Sequence, residues 1–391
     1  MKKNSMKALE TNNPNLSIYI HIPFCESRCY YCDFCSSVIK DDLVEKYFYY
    51  LNLEIELYSE FLKDKIINTL FIGGGTPSSV EAKYIKAVLE KLKTVSSFSK
   101  DCEITLEVNP NSIDKSKVHG YLNSGINRFS IGAQSFNDDI LKIIGRIHNE
   151  DDIFKAVDTL KSFNIINYSL DLMLALPNQK MKDIEYSIKT IEELNPTHLS
   201  YYSLILEDST LLKKLSDEGK LNFPNEDLDR EMYHYVINSL RNLGYFQYEI
   251  SNFSKKGFIS RHNLNYWTLK NYLGLGLSSH SNIDTLRFNN FYNFNNYFKA
   301  IENKKYPIEY YENLTVKDRV NEFSILGLRL NSGIDISRAN EMFNINFSSY
   351  YKDEIEKNLN GGLIYIKDNF IKLTDRGRDL SNIVETDFIR L

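Results

Sequence analysis

Cys25-Glu26-Ser27-Arg28-Cys29-Tyr30-Tyr31-Cys32-Asp33-Phe34-Cys35 follows directly on the apolar, β-branched run Ser17–Pro23. Four of the chain's five cysteines therefore fall within eleven residues, and this clustering decides how the rest is read. A disulfide framework does not account for it, because the chain is 391 residues long, its cysteine count is odd and nothing resembles a secretion signal. The stretch Met1–Asn15 is polar where a signal peptide needs an unbroken apolar segment, and no run reaches the roughly 18 apolar residues of a membrane span. These features lead to the expectation of a soluble cytoplasmic chain with reduced thiols. Cys25, Cys29 and Cys32 have the spacing C-x3-C-x2-C, which lets one loop wrap a compact inorganic centre, iron–sulfur or zinc. Three thiolates serving four irons leave one iron open to a substrate or cofactor. The rival is a closed zinc site with Cys35 as fourth ligand, but structural zinc sites normally draw on two separated pairs, and here all four thiols crowd onto one loop. Cys102 reads as a strand residue.

Working outward, strand-like runs recur at Ser17–Pro23, Asn68–Gly73, Cys102–Val108, Arg128–Ala133, Tyr168–Leu176 and His198–Leu206. Amphipathic stretches separate them. Leu51, Ile55, Tyr58 and Leu62 share one helical face, as do Ile85, Val88, Leu89 and Leu92, then Ile153, Ala156, Val157 and Leu160, and Ile184, Ile188, Ile191 and Leu194. Six strands each followed by a helix predict parallel βα units, in an open doubly wound sheet or a full or partial barrel. In each architecture chemistry gathers at the C-terminal ends of the strands. Those ends carry the cysteine cluster, Gly73-Gly74-Gly75-Thr76-Pro77, Glu107-Val108-Asn109-Pro110 and Gln134-Ser135, with Asp171 inside the fifth run and Tyr201-Tyr202-Ser203 in the sixth.

Past Glu207 the rhythm breaks. Asp208–Pro224 reads as a polar connection before a helix at about Glu226–Leu243, and a Gly-rich segment, Gly274-Leu275-Gly276, follows. Helical stretches around Val320–Leu330 and Ser337–Phe343, then Leu363–Ile366 and Phe370–Leu373 about an Asp368-Asn369 turn, suggest a small winged-helix-like unit. The expected divisions are a tail at 1–16, a barrel at 17–207, an extension at 208–309 and this unit at 310–391. Overall, 47 basic against 52 acidic residues leave a net charge of −5, and residues 310–391 carry 11 basic and 13 acidic residues. A phosphate-binding surface needs the opposite sign, so nucleic acid is not an expected partner and the C-terminal unit is read as a packing or docking module.

The segment Tyr19-Ile20-His21-Ile22-Pro23-Phe24-Cys25, continued by Cys29-Tyr30-Tyr31-Cys32-Asp33-Phe34, closely resembles the radical S-adenosylmethionine (SAM) enzymes of the HemN/HemW family. The resemblance runs on through Gly73–Ser78, Gly125–Phe136, Gly145-Arg146-Ile147-His148, Asp171–Pro177, Tyr248–Phe253 and Arg261-His262-Asn263-Leu264-Asn265-Tyr266-Trp267, covering nearly the whole chain in order. It implies an α/β fold, a partial (βα)6 barrel with a small α+β C-terminal domain. It implies a [4Fe–4S] cluster on Cys25, Cys29 and Cys32, with SAM on the open iron, cleaved reductively to methionine and a 5′-deoxyadenosyl radical. By the same resemblance Gly74, Gly75 and Thr76 offer backbone groups to the methionine part of SAM, and Glu107 accepts from a ribose hydroxyl or the amino group. Arg146 suits the SAM carboxylate through its planar fork. Tyr19, Tyr31, Gln134 and Asp171 complete the SAM contacts. Singly, each has a plainer reading: a strand-to-helix turn, a helix cap, a surface charge. Their joint placement at successive strand ends favours the site.

Two branches of the family compete. One is an enzyme, the oxygen-independent coproporphyrinogen III dehydrogenase, which decarboxylates two propionates; the other is a heme chaperone that carries heme to acceptor proteins. The dehydrogenase pattern has a fourth cysteine two residues after the third, where this chain has Phe34, with Cys35 one residue too late. Only 24 residues precede Cys25, against a longer extension in the dehydrogenase. The H-N-x-x-Y-W element at His262–Trp267 is characteristic of the chaperone branch, and His262 is by that resemblance the heme-ligand candidate, with Trp267 beside it. The plainer reading of His262 is a hydrogen-bonded loop histidine. The expected partners are therefore heme or a porphyrinogen and, for a chaperone, heme-acceptor proteins. Membrane association only through such acceptors, and a homodimer, are compatible with this reading. Modification of RNA by radical SAM chemistry is disfavoured by the acidic balance.

Overall fold

The computed structural model describes residues 9–390, so the first eight residues of the expected 1–16 tail lie outside the described residues. The six expected strands form: β1 Asn15–Ile22, β2 Ile66–Gly74, β3 Ser97–Val108, β4 Arg128–Gln134, β5 Tyr168–Leu174 and β6 His198–Ser203. The chain divides into two compact units, the first comprising residues up to Ser169, Ile205–Leu221 and Asn271–Asn313, the second comprising Leu170–Leu204, Asn222–Lys270 and the residues from Leu314.

In the first unit β1, β2, β3 and β4 lie side by side in chain order, all parallel. Their register aligns Ile20, Ile72, Leu106 and Phe129 across the four strands, and all four side chains are buried. Long apolar runs in these strands are what a parallel sheet covered by its crossover helices requires. The crossovers are helices Asp41–Leu57, Ala82–Val95, Lys115–Ser124 and Glu150–Ser162. Ile85, Val88, Leu89 and Leu92 form the buried stripe of the second, and Ile153, Ala156, Val157 and Leu160 that of the fourth. The fourth starts at a capping box in which Asn149 and Asp152 satisfy each other's backbone N–H. The first crossover departs from expectation: the stripe Leu51, Ile55, Tyr58, Leu62 is split by a break at Tyr58 into Asp41–Leu57 and Ser59–Leu62.

The Gly274-Leu275-Gly276 segment, without an assigned element in the sequence, belongs to a further strand, Tyr272–Leu275, that pairs parallel with β1 on the side away from β2. Strands His280–Ile283, Leu286–Asn290 and Ile308–Asn313 continue the sheet antiparallel beyond it. The expected polar connection Asp208–Pro224 contains a short helix, Leu211–Asp217, capped by Thr210. Leu212 is its single buried residue, too few apolar positions to show a period in the sequence.

In the second unit, β6 is flanked by Asn252–Ser254, which runs antiparallel to it and also pairs with Phe246–Glu249. Helices Met181–Leu194 and Glu226–Asn242 belong here. So does the C-terminal module, in which helices Val316–Arg329, Ile336–Phe343 and Lys352–Asn360 pack with a sheet ordered Ile334–Asp335, Phe370–Leu373, Ile364–Lys367. Its hairpin turns at Asp368-Asn369, both in the left-handed region with φ of 51° and 65°, as a tight two-residue hairpin requires. Phe347, Tyr351, Ile371 and Phe388 centre its core.

Candidate functional site

The cysteine loop leaves the C-terminal end of β1 and is anchored on the end of β2. Gly75 N–H donates to the Ile22 carbonyl (2.9 Å) and Thr76 N–H to the Phe24 carbonyl (2.7 Å). The glycines are needed here for distinct reasons. Gly74 has φ +114°, outside the range comfortable for other residues. A Cβ on Gly75 would stand 2.6 Å from the Phe24 carbonyl oxygen and 2.9 Å from Cys25 Sγ, so the backbone passes directly beneath the first cysteine. Thr76 Oγ1 points to Cys25 Sγ at 3.7 Å, and Gly74 N–H donates to Glu107 Oε2 at 3.1 Å, tying the end of β3 to the end of β2.

Arg146 reaches the same place from the segment after β4. Its guanidinium contacts Cys29 Sγ (3.4 Å), Asn109 Oδ1 (2.6 Å) and the Gly132 carbonyl (2.7 Å), and its Nε–H points to His148 Nδ1 (3.2 Å). His148 is buried, and its Nε2 lies 3.1 Å from the Ala133 carbonyl. Burial and the neighbouring guanidinium hold its pKa down at about 3, so the ring is neutral, donating from Nε2 and accepting at Nδ1. Asn109 also donates to Thr76 Oγ1 (3.3 Å), joining the ends of β2 and β3 to Arg146. Gln134 ends β4 in the left-handed region (φ 63°) and is buried. Tyr30 packs on Gly145, and its backbone bonds to the Ile144 carbonyl and the Leu212 N–H.

Cys35 faces elsewhere. Its Sγ lies 3.7 Å from the Tyr292 carbonyl, and its own carbonyl accepts from His21 Nε2 at 2.8 Å. His21, buried on β1, accepts from the Tyr19 hydroxyl at Nδ1 (3.1 Å), and burial lowers its pKa to about 4, so it too is neutral. Burial raises the Cys25 thiol and pushes that of Cys32 up to about 11. As thiols they stay protonated at neutral pH, and binding a metal centre there releases protons.

The donor set fits an iron–sulfur cluster. Three half-buried thiols share one loop, and two of the sulfurs already have a donor aimed at them, Thr76 on Cys25 and Arg146 on Cys29. Among the described residues no group of three His, Cys, Asp or Glu side chains is arranged to hold a single metal ion.

Of the residues named from the sequence, the first unit thus brings together Cys25, Cys29, Gly74, Gly75, Thr76, Glu107 and Arg146 through direct contacts. Cys32 and Tyr31 lie half-buried on the same loop, Tyr19 lies half-buried on β1, and Gln134 sits beneath Gly132 next to Arg146. Asp171 is half-buried on β5 in the second unit. His262, also in the second unit, is fully buried on a short helix, Arg261–Trp267, with Nε2 2.8 Å from the Tyr266 hydroxyl; Trp267 has the Arg329 guanidinium 4.7 Å over its ring. Asn109, His148 and His21 were given no role by the sequence. The sequence carries a signal for two of them: Asn109 closes a strand-end motif, and Arg146-x-His148 sets two polar groups two residues apart in the loop before helix Glu150–Ser162.

The Radical SAM superfamily profile matches residues 19–191, and the HemN C-terminal domain profile matches residues 314–380. The chain is 37% identical over 381 residues to the heme chaperone HemW of Bacillus subtilis (strain 168), covering 95% of this chain and 99% of that one. It is 34% identical over 271 residues to the heme chaperone HemW of Escherichia coli (strain K12), covering 69% and 71%. In fold it is similar to the coproporphyrinogen III oxidase HemN of Escherichia coli, a radical SAM enzyme, with a TM-score of 0.86 at 22% identity over 98% of this chain and 91% of that one. That likeness supports the barrel and C-terminal domain expected from the sequence. Radical SAM membership implies a [4Fe–4S] cluster and SAM as cofactors, and the cysteine loop has the donors for them. The chain belongs to the radical SAM superfamily and, within it, to the HemW branch of the HemN/HemW family.

Proposed function

We propose that this protein is a heme chaperone, which binds heme and passes it to acceptor proteins. The observation that carries the reading is the fate of the fourth thiol. Phe34 stands, 60% exposed, where the dehydrogenase pattern has a cysteine, and Cys35 is turned onto the Tyr292 carbonyl. Similarity to heme chaperones over almost the full chain supports it. Cys25, Cys29 and Cys32 would hold a [4Fe–4S] cluster, which supplies an electron for reductive cleavage of SAM when bound. Gly74, Gly75, Thr76, Glu107, Gln134, Arg146, Tyr19, Tyr31 and Asp171 are the proposed SAM contacts. Asn109 and His148 act behind them as positioning residues, since they hold the Arg146 guanidinium in one orientation. His262 is the heme-ligand candidate, and ligation there requires its Nε2 to exchange the Tyr266 hydroxyl for iron. A cytoplasmic location is part of the proposal. No described helix is long and apolar enough to cross a membrane.

The test is a heme titration beside an anaerobic decarboxylation assay on the reconstituted protein. Heme binding weakened by His262→Ala, with no decarboxylation of coproporphyrinogen, is the expected result. Formation of protoporphyrinogen would make the dehydrogenase the better reading.

A further inference from the structure

Within the second unit a cleft of about 380 Å³ opens between the end of helix Glu226–Asn242, strand Phe246–Glu249 and the C-terminal module. This volume lies at the small end of the roughly 300–1,000 Å³ usual for ligand sites. Arg241 and Arg378 line it, together with Asn331, Asp375, Tyr245 and Phe246. In the same unit Arg230 pairs with Asp229 at 2.9 Å and Arg390 with Glu354 at 3.0 Å, while Arg338 is held by the Thr268 carbonyl. Among the described residues neither Arg241 nor Arg378 has a carboxylate within ion-pair distance. Arg378 is held instead by the Asn331 side chain, whose Nδ2 is fixed on the Gln247 carbonyl. Its guanidinium is thus oriented by a neutral partner and keeps its charge for something else. Two unneutralised arginines against one aspartate leave the cleft with a single net positive charge. That balance suits one or two carboxylates and disfavours a polyphosphate or nucleic acid. Phe246, 40% exposed, adds an aromatic wall beside the charges.

We propose that this cleft is a second recognition site for the heme cargo, taking its propionate-bearing edge: the carboxylates pair with Arg241 and Arg378, and the adjoining ring edge packs on Phe246. The inference rests on the heme-chaperone reading and assigns recognition to a surface separate from His262. The small volume admits the edge of the macrocycle and leaves the iron outside, so the iron ligand and the propionate clamp are different groups.

Heme is titrated by Soret absorbance into the reconstituted full chain, as wild type and as the Arg241→Gln/Arg378→Gln double variant, with heme dimethyl ester as a second probe whose carboxylates are masked. Loss of each charge-assisted contact is expected to weaken heme binding by about tenfold, while the ester binds wild type and variant alike. Equal heme affinity in wild type and a folded double variant overturns the cleft and leaves the chaperone reading standing. A wild-type protein that binds no heme at all overturns both. Arg241→Gln alone removes no hydrogen bond present in the structure; if the double variant does not fold, this single change decides, with weaker heme binding supporting the cleft and unchanged binding sinking it.

Discussion

At the scale of single residues, the cysteine loop shows how little separates a ligand from a bystander. Cys35 is three positions beyond Cys32, yet its sulfur is committed to the Tyr292 carbonyl and its backbone to His21. Cys35→Ser should therefore keep the full iron and sulfide content of reconstituted protein, whereas Cys29→Ser should lose most of it; elemental analysis with the visible absorbance of the brown protein measures both. Gly75 is tightly constrained as well. Its added Cβ would meet a backbone oxygen, which cannot move without breaking the Thr76 N–H bond to Phe24. Gly75→Ala is expected to cost about 1–3 kcal/mol through overpacking and to lower iron content, read by denaturant unfolding and iron analysis.

At the scale of elements, helix Asp41–Leu57 is joined to the loop after strand Tyr272–Leu275 by a buried carboxylate. Glu54 is fully buried and accepts from Gly276 N–H (2.8 Å), Asn290 Nδ2 (2.6 Å) and the Tyr297 hydroxyl (2.6 Å). None of these is a cation, and burial pushes its pKa up to about 7 despite the three donors. The folded chain therefore holds this proton more tightly than the unfolded chain. The stabilisation is fully present below the ordinary carboxyl value of about 4.5 and is lost as pH rises through about 7, a contribution on the order of 3 kcal/mol. Unfolding measured between pH 5 and 8 should show this decline in the wild type and a flatter profile in Glu54→Gln. Identical slopes would rule it out. Next to it, the Tyr47 hydroxyl donates to the His21 carbonyl (2.6 Å) and accepts from Leu277 N–H (3.1 Å). Tyr47→Phe orphans two buried backbone groups, and a loss of about 1–3 kcal/mol in unfolding free energy is expected.

At the scale of the whole molecule, charge separates architecture from function. The C-terminal module has the helices and hairpin of a winged helix, but residues 310–391 carry an acidic surplus. Duplex DNA should therefore give no mobility shift at low salt, where any phosphate contact would be strongest. The sequence by itself determined the βα order, because burial on both faces of a parallel sheet writes long apolar runs, and the helices between them write a 3.6-residue period. It also determined the three-cysteine loop, because all three ligands lie within eight residues of one another. Only the tertiary structure decided the rest. The strand Tyr272–Leu275 docks on β1 from some 250 residues away, and no local pattern encodes that partner. Arg146 finds Asn109 only once β3 and β4 lie side by side. The full burial of His262 and the lack, among the described residues, of carboxylate partners for Arg241 and Arg378 likewise depend on which surfaces packing covers, since a side chain's neighbours across the fold are set by long-range contacts that spacing along the chain does not record.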